Sequence, residues 1–153
     1  GIVLYFFLQP RCNYRLFESN TCRASQAAFE KSAALASAAT TTTVQIMGSS
    51  LAGLPANWFA EGWIAVGTGA EFEQRTILAS TAESESKITL TLNHRLFYAA
   101  VSDPCKVIPG CDGTPETCAA KFSNFANFGG HRYALKNLTL KAMEVPNLDA
   151  SKK

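Results

Sequence analysis

The hydrophobic pattern changes character three times along the chain. Residues 2–8 are an unbroken apolar run of aromatic and β-branched side chains, which predicts a buried strand ending at Pro10. A polar loop carrying Cys12 and Cys22 follows. Beyond it, Ala27, Ala28, Phe29, Ala33, Ala34 and Leu35 make a modest stripe at helical spacing. With Ser25 as cap, they predict a helix over residues 26–38. The Ala/Ser/Thr run 36–43 then leads into a strand over residues 41–47.

The middle predicts strands. Residues 58–66 form an apolar-rich run punctuated by Gly62 and ended by Gly67, Thr68 and Gly69. Residues 72–80 make a second run. Residues 87–93 alternate strictly, with Ile88, Leu90 and Leu92 on one face and Thr89 and Thr91 on the other. Turns rich in Gly, or in Ser and Glu, separate these runs, so a three-stranded antiparallel meander is expected.

From Val101 onward, Pro104, Pro109, Gly110, Gly113 and Pro115 predict interrupted structure. A short helix over residues 115–123, with proline at its first position, is expected after Thr114. The fold class is therefore α+β, mainly β: a small antiparallel sheet or barrel with one or two short helices and a cysteine-rich end. A single domain over residues 1–146 and a frayed polar tail over 147–153 complete the expected organisation.

Composition sharpens this picture only in places. Hydrophobic residues make up 47% and charged residues 17%, which is globular but sparsely charged. A net charge of +2 gives no footprint for nucleic-acid recognition. The longest apolar run is too short for a transmembrane segment, and it lacks the basic leader of a secretory signal.

Five cysteines cannot close a complete disulfide framework within one chain. Nine residues separate Cys12 from Cys22, and six separate Cys111 from Cys118. A centre shared by these two pairs would staple the first loop to the last one. Four thiolates suit structural zinc or an iron–sulfur cluster, and unpaired or disulfide-bonded cysteines are the competing reading. The spacing is wider than zinc knuckles favour. Cys105 is left over and reads as a small buried hydrophobe.

Residues 110–130 run Gly-Cys-Asp-Gly-Thr-Pro-Glu-Thr-Cys and close on Phe122, Asn124, Phe125, Asn127, Phe128, Gly129 and Gly130. This segment resembles the signature of the C-terminal iron–sulfur domains of phage tail-tip and baseplate hub proteins. That family includes the lambda tail tip protein L and gene transfer agent hubs. Residues 11–17 before Cys22, residues 58–64 and residues 75–78 resemble its upstream pieces. Two features depart from the pattern: His131 to Ala134 stand where many members continue with prolines, and little chain precedes Cys12.

The resemblance implies Cys12, Cys22, Cys111 and Cys118 as ligands of an iron–sulfur cluster, [4Fe–4S] favoured, with zinc as the alternative. Phe122, Asn124, Asn127, Phe128, Gly129 and Gly130 would form the supporting loop: phenylalanines as apolar cover, asparagines as backbone ties, glycines for close approach. It further implies a non-enzymatic structural subunit in the virion at the tail tip, assembled in the bacterial host cytoplasm. Its partners would be hub, distal tail and central fibre proteins, with a homotrimer inside a larger assembly. A small iron–sulfur electron-transfer protein and a zinc-stapled interaction module are the alternatives.

No other group carries comparable chemistry. His94 and His131 lack a nucleophile signature nearby and read as surface or satisfied histidines. Glu83 and Glu85 read as solvated charges. Gly67, Thr68 and Gly69 lack the setting of a nucleotide loop and read as a turn.

Overall fold

The computed structural model describes residues 11–37, 41–68 and 71–130. The expected strand over residues 2–8, His131 and the tail 147–153 lie outside these residues.

Six strands close into an antiparallel barrel in the order β1-β2-β5-β4-β3-β6. They are β1 (Lys31–Leu35), β2 (Thr43–Met47), β3 (Trp63–Thr68), β4 (Glu71–Ser80), β5 (Lys87–Leu92) and β6 (Pro104–Ile108). The expected meander is present as β3-β4-β5, and the other three strands close it. Closure gives every strand a partner on both sides, which eases the edge problem of a small sheet.

Alternation explains which side chains fill the barrel. Val44 and Ile46 of β2, Ile64 and Val66 of β3, and Ile88, Leu90 and Leu92 of β5 are all buried, with polar neighbours between many of them. Leu35, Ile77, Cys105 and Val107 complete the interior, with Leu51, Phe59 and Leu96 in the same cluster. Each buried aliphatic side chain contributes about 1.5–3 kcal/mol. Cys105 sits among them, and burial pushes its thiol up to about 12, which fits the reading of a small hydrophobe.

Four expectations are corrected. The helix over residues 26–38 is only α1 (Gln26–Phe29), and Ser25 makes no side-chain cap bond. The following alanines pair instead with β6, from Lys31↔Val107 to Ala34↔Pro104, because small side chains give a helix little face to bury. The run 58–66 is strand only from Trp63. Residues before it turn, and Asn57, Phe59 and Glu61 donate backbone N–H bonds to Ser80 or Ile77 on β4. The proline-rich segment after Val101 contains β6, since Pro104 opens the strand and Pro109 follows its end, where neither removes an interior ladder bond. Glu83 is a tie rather than a solvated charge: its carboxylate accepts N–H bonds from Gly53 and Ser86. Glu85 and His94 are exposed, as expected.

The strand directions give the barrel two unlike ends. β1, β3 and β5 start, and β2, β4 and β6 finish, at the end where Cys111 leaves β6. At the opposite end the connection from β5 to β6 carries Leu96, Phe97 and Tyr98.

Candidate metal centre

Cys111 leaves the barrel through a contact only glycine allows. A Cβ on Gly110 would fall 2.0 Å from the Glu61 carbonyl carbon, and one on Gly62 would fall 1.9 Å from the Ile108 oxygen. The backbones of β3 and the β6 exit are thus pressed together, which fixes where the cysteine-bearing loop begins.

Beyond Cys111 the chain turns at Asp112 and Gly113. Asp112 accepts bonds from the Thr114 N–H at 2.9 Å and hydroxyl at 2.8 Å, and Gly113 takes a φ of 72°. Burial works against the Asp112 charge, yet these bonds and nearby Arg11 hold its pKa below the ordinary value. Thr114 then caps α2 (Pro115–Ala120) by accepting from the Thr117 N–H, with Pro115 at the first turn. This helix is shorter than the expected 115–123 and buries one face residue, Cys118.

The first loop is tied onto this frame. Cys12 N–H donates to the Gly113 carbonyl at 2.7 Å. Asn124 donates its amide to the Cys22 carbonyl, and Asn127 donates to the Asn124 side-chain oxygen at 2.7 Å. Phe122 meets Phe29 edge-on at 5.0 Å and Phe17 at 6.1 Å, so three rings join the first loop, α1 and the end of α2. Phe125 and Phe128 stack at 5.7 Å. Gly129 and Gly130 provide close approach: a Cβ would lie 2.5 Å from the Tyr14 ring or 2.7 Å from the Arg11 backbone.

All four cysteines of the two pairs border one cavity of about 260 Å³, together with Phe122, Asn124 and Asn127. Three of the sulfurs receive N–H groups: Gly113 N–H to Cys111 Sγ at 3.4 Å, Gly129 N–H to Cys12 Sγ at 3.3 Å, and Asn124 Nδ2 to Cys22 Sγ at 3.5 Å. Burial and the neighbouring Cys111, Cys12 and Cys22 push the Cys118 thiol up to about 11. Burial likewise raises Cys111, against the Gly113 N–H that favours its thiolate. Burial thus favours the neutral thiol at Cys111 and Cys118, and their thiolate forms would need a compensating cationic centre, for which soft thiolate donors suit an iron–sulfur group or zinc. Among the described residues no three His, Cys, Asp or Glu side chains gather closely enough to hold one metal ion. All five cysteines are free thiols.

Sequence reasoning missed Lys121 and the Gly62–Gly110 contact. Lys121 Nζ donates to the Gly110 carbonyl at 2.7 Å and lies 5.4 Å from the centres of the Trp58 and Phe122 rings. Burial lowers its pKa, opposed by nearby Cys111, Asp112 and Glu61. A lysine at the end of a short helix carries no distinguishing pattern. Gly62 and Gly110 were visible as glycines, but their meeting needs the register of β3 on β6.

A closed barrel capped by two cysteine-bearing loops defines a small β domain with a thiol-lined end. The chain belongs to the family described as "Phage conserved hypothetical protein BR0599", which matches residues 57–137, more than half of its length. Among solved structures it is similar to a chain of "Virion of native gene transfer agent (GTA) particle", at 23% identity and a TM-score of 0.67. That likeness covers 90% of this chain and 47% of the other, so this chain spans about half the length of the virion chain it matches. It shows a shared fold. No curated protein matches the chain. Among the described residues no helix is long and apolar enough to cross a membrane.

Proposed function

We propose that this chain is a structural, non-enzymatic subunit of a phage tail tip or baseplate hub whose Cys12, Cys22, Cys111 and Cys118 hold an iron–sulfur cluster, [4Fe–4S] favoured. The convergence of these four cysteines on one cavity, with N–H donors on three of the sulfurs, carries the reading. N–H bonds to sulfur stabilise the thiolate form that a cluster requires. The bordered cavity favours a group with volume of its own over a single zinc ion, whose sulfurs each lie about 2.3 Å from the metal. Bound there, the cluster supplies a cross-link among four thiolates. Asn124 and Gly129 then orient the first loop, and Phe122 limits water access.

Phage family membership and the shared fold with a gene transfer agent virion chain support a place in the particle. In this reading the chain is made in the host cytoplasm, where thiols stay reduced, and is carried at the tail tip. Hub, distal tail and central fibre proteins are its partners, and threefold symmetry fits a position on the tail axis.

Anaerobic purification of the full chain tests the cofactor. The expected product is brown, with iron and inorganic sulfide in equal amounts, and Cys111→Ser loses both. Zinc without sulfide overturns the cluster. Infectious particles lacking this chain overturn the structural role.

A further inference from the structure

Lys121 stands at the C-terminal cap of α2, yet its ammonium does not serve that helix end. It donates instead to the carbonyl of Gly110, the residue before Cys111, at 2.7 Å. The Trp58 and Phe122 rings, each with its centre 5.4 Å away, hold it there within cation–π range. Cys111 and Phe122 border the thiol-lined cavity, whereas Lys121 and Trp58 line a neighbouring groove of about 860 Å³. The ammonium is therefore stationed behind the Cys111 loop rather than inside the cavity.

Holding a charge in this half-buried place is costly, and a neutral donor could make the same bond at less desolvation. Burial lowers the Lys121 pKa, and negative charge on Cys111, Asp112 and Glu61 works against that loss. The relation is reciprocal. Burial raises the Cys111 pKa, with Asp112 and Cys12 acting in the same sense, while the Gly113 N–H and the Lys121 charge favour the thiolate. Asp112 offsets Lys121 only in part, because its carboxylate already accepts from the Thr114 N–H and hydroxyl and faces Arg11. Glu61 is exposed, where water and salt screen it. Four thiolates carry more negative charge than the iron–sulfur group they would hold, so the loaded end stays anionic. Net charge and hydrogen bonds to sulfur are among the levers that set a cluster's potential.

We infer that Lys121 is the built-in counter-charge of the thiol-lined end: its ammonium, clamped to the Gly110 carbonyl between Trp58 and Phe122, stabilises the anionic sulfur set from the Cys111 side and raises the reduction potential of the cluster held there. This role rests on the iron–sulfur reading and adds to it a residue that tunes the centre. Lys121 is a positioning residue and not a ligand, since it acts through space and through the Gly110–Cys111 backbone. A positive charge beside the centre favours the more negative, reduced form, so its removal must lower the potential.

Potentiometric titration of the anaerobically purified full chain, with iron and sulfide measured on the same samples, is the test. Lys121→Met keeps the length of the side chain and removes the charge, while Lys121→Arg keeps the charge. Reduction should become about tenfold less favourable in Lys121→Met, a fall of ~59 mV for one electron. Lys121→Arg should stay near the wild type, and circular dichroism should be unchanged in both. Loss of a mere clamp would lower stability without a directed shift in potential. Where Lys121→Met takes up no iron, Lys121→Arg decides: wild-type iron and sulfide support the counter-charge, and their loss overturns it. A loaded Lys121→Met with the wild-type potential, or a Lys121→Arg that falls equally far, also overturns it and leaves the cluster reading intact. A wild-type chain without iron and sulfide overturns both.

Discussion

The two ends of the barrel use the same device for opposite purposes. At each, a polar side chain captures a neighbouring loop through bonds to its main chain. Asn124 reaches the Cys22 carbonyl and draws the first loop inward over a cavity. Glu73 takes the Phe97 and Tyr98 N–H groups and holds aromatic rings outward. The difference lies in what surrounds the tie. Phe17, Phe29 and Phe122 cover the cysteine end, whereas at the far end Leu96 is buried beneath its loop, with Ala99 packed beside the core. One end is built to enclose, and the other to present.

Substitutions can separate the ends. The largest effect is expected from Gly110→Ala, whose Cβ overlaps the Glu61 backbone. Stability should fall by about 3 kcal/mol in urea unfolding, with the cysteine end disordered first. Glu73→Ala removes two main-chain bonds and the partner of Arg75, and should cost about 2 kcal/mol. Amide exchange should quicken at residues 97 and 98, while the iron content that the proposed cluster predicts stays unchanged. Asn124→Ala should cost about 1 kcal/mol and leave the Phe97 loop unaltered. Under the proposed cluster reading, its signature is faster iron loss to a chelator.

Cys105 supplies an effect confined to alkaline pH and a control between the ends. Its folded pKa of about 12 stands above the model-thiol value of 9.0, so the folded state keeps its proton where the unfolded state loses it. The contribution is present in full below about pH 9 and is lost as pH climbs toward 12. Cys105→Ala should flatten that alkaline decline, and the native thiol should resist labelling until the barrel opens.

The barrel was legible where alternation was strict. Ile88, Leu90 and Leu92 announced both a strand and its buried face, and all three are inside. The pattern misled where side chains were small or ring-constrained. Ala33 and Ala34 fit a helix stripe as well as a strand, and only pairing with β6 decides. Pro104 and Pro109 read as breakers but bound a strand. At the cysteine end, the four ligand candidates, the asparagine ties and the glycine contacts were visible as residues. Sequence could not show Gly113 N–H meeting Cys111, or Lys121 lying against Trp58, because both depend on loop conformation.

The order of the chain adds a temporal dimension to the thiol-lined end. Cys12 bonds to Gly129, and Cys22 to Asn124, across sequence separations of 117 and 102 residues, with the whole barrel between them. During synthesis the first cysteine pair emerges early and waits until the last strand has closed before its counterparts arrive. A nascent or truncated chain cannot complete that end. Its formation therefore serves as a molecular receipt that the intervening barrel was made in full.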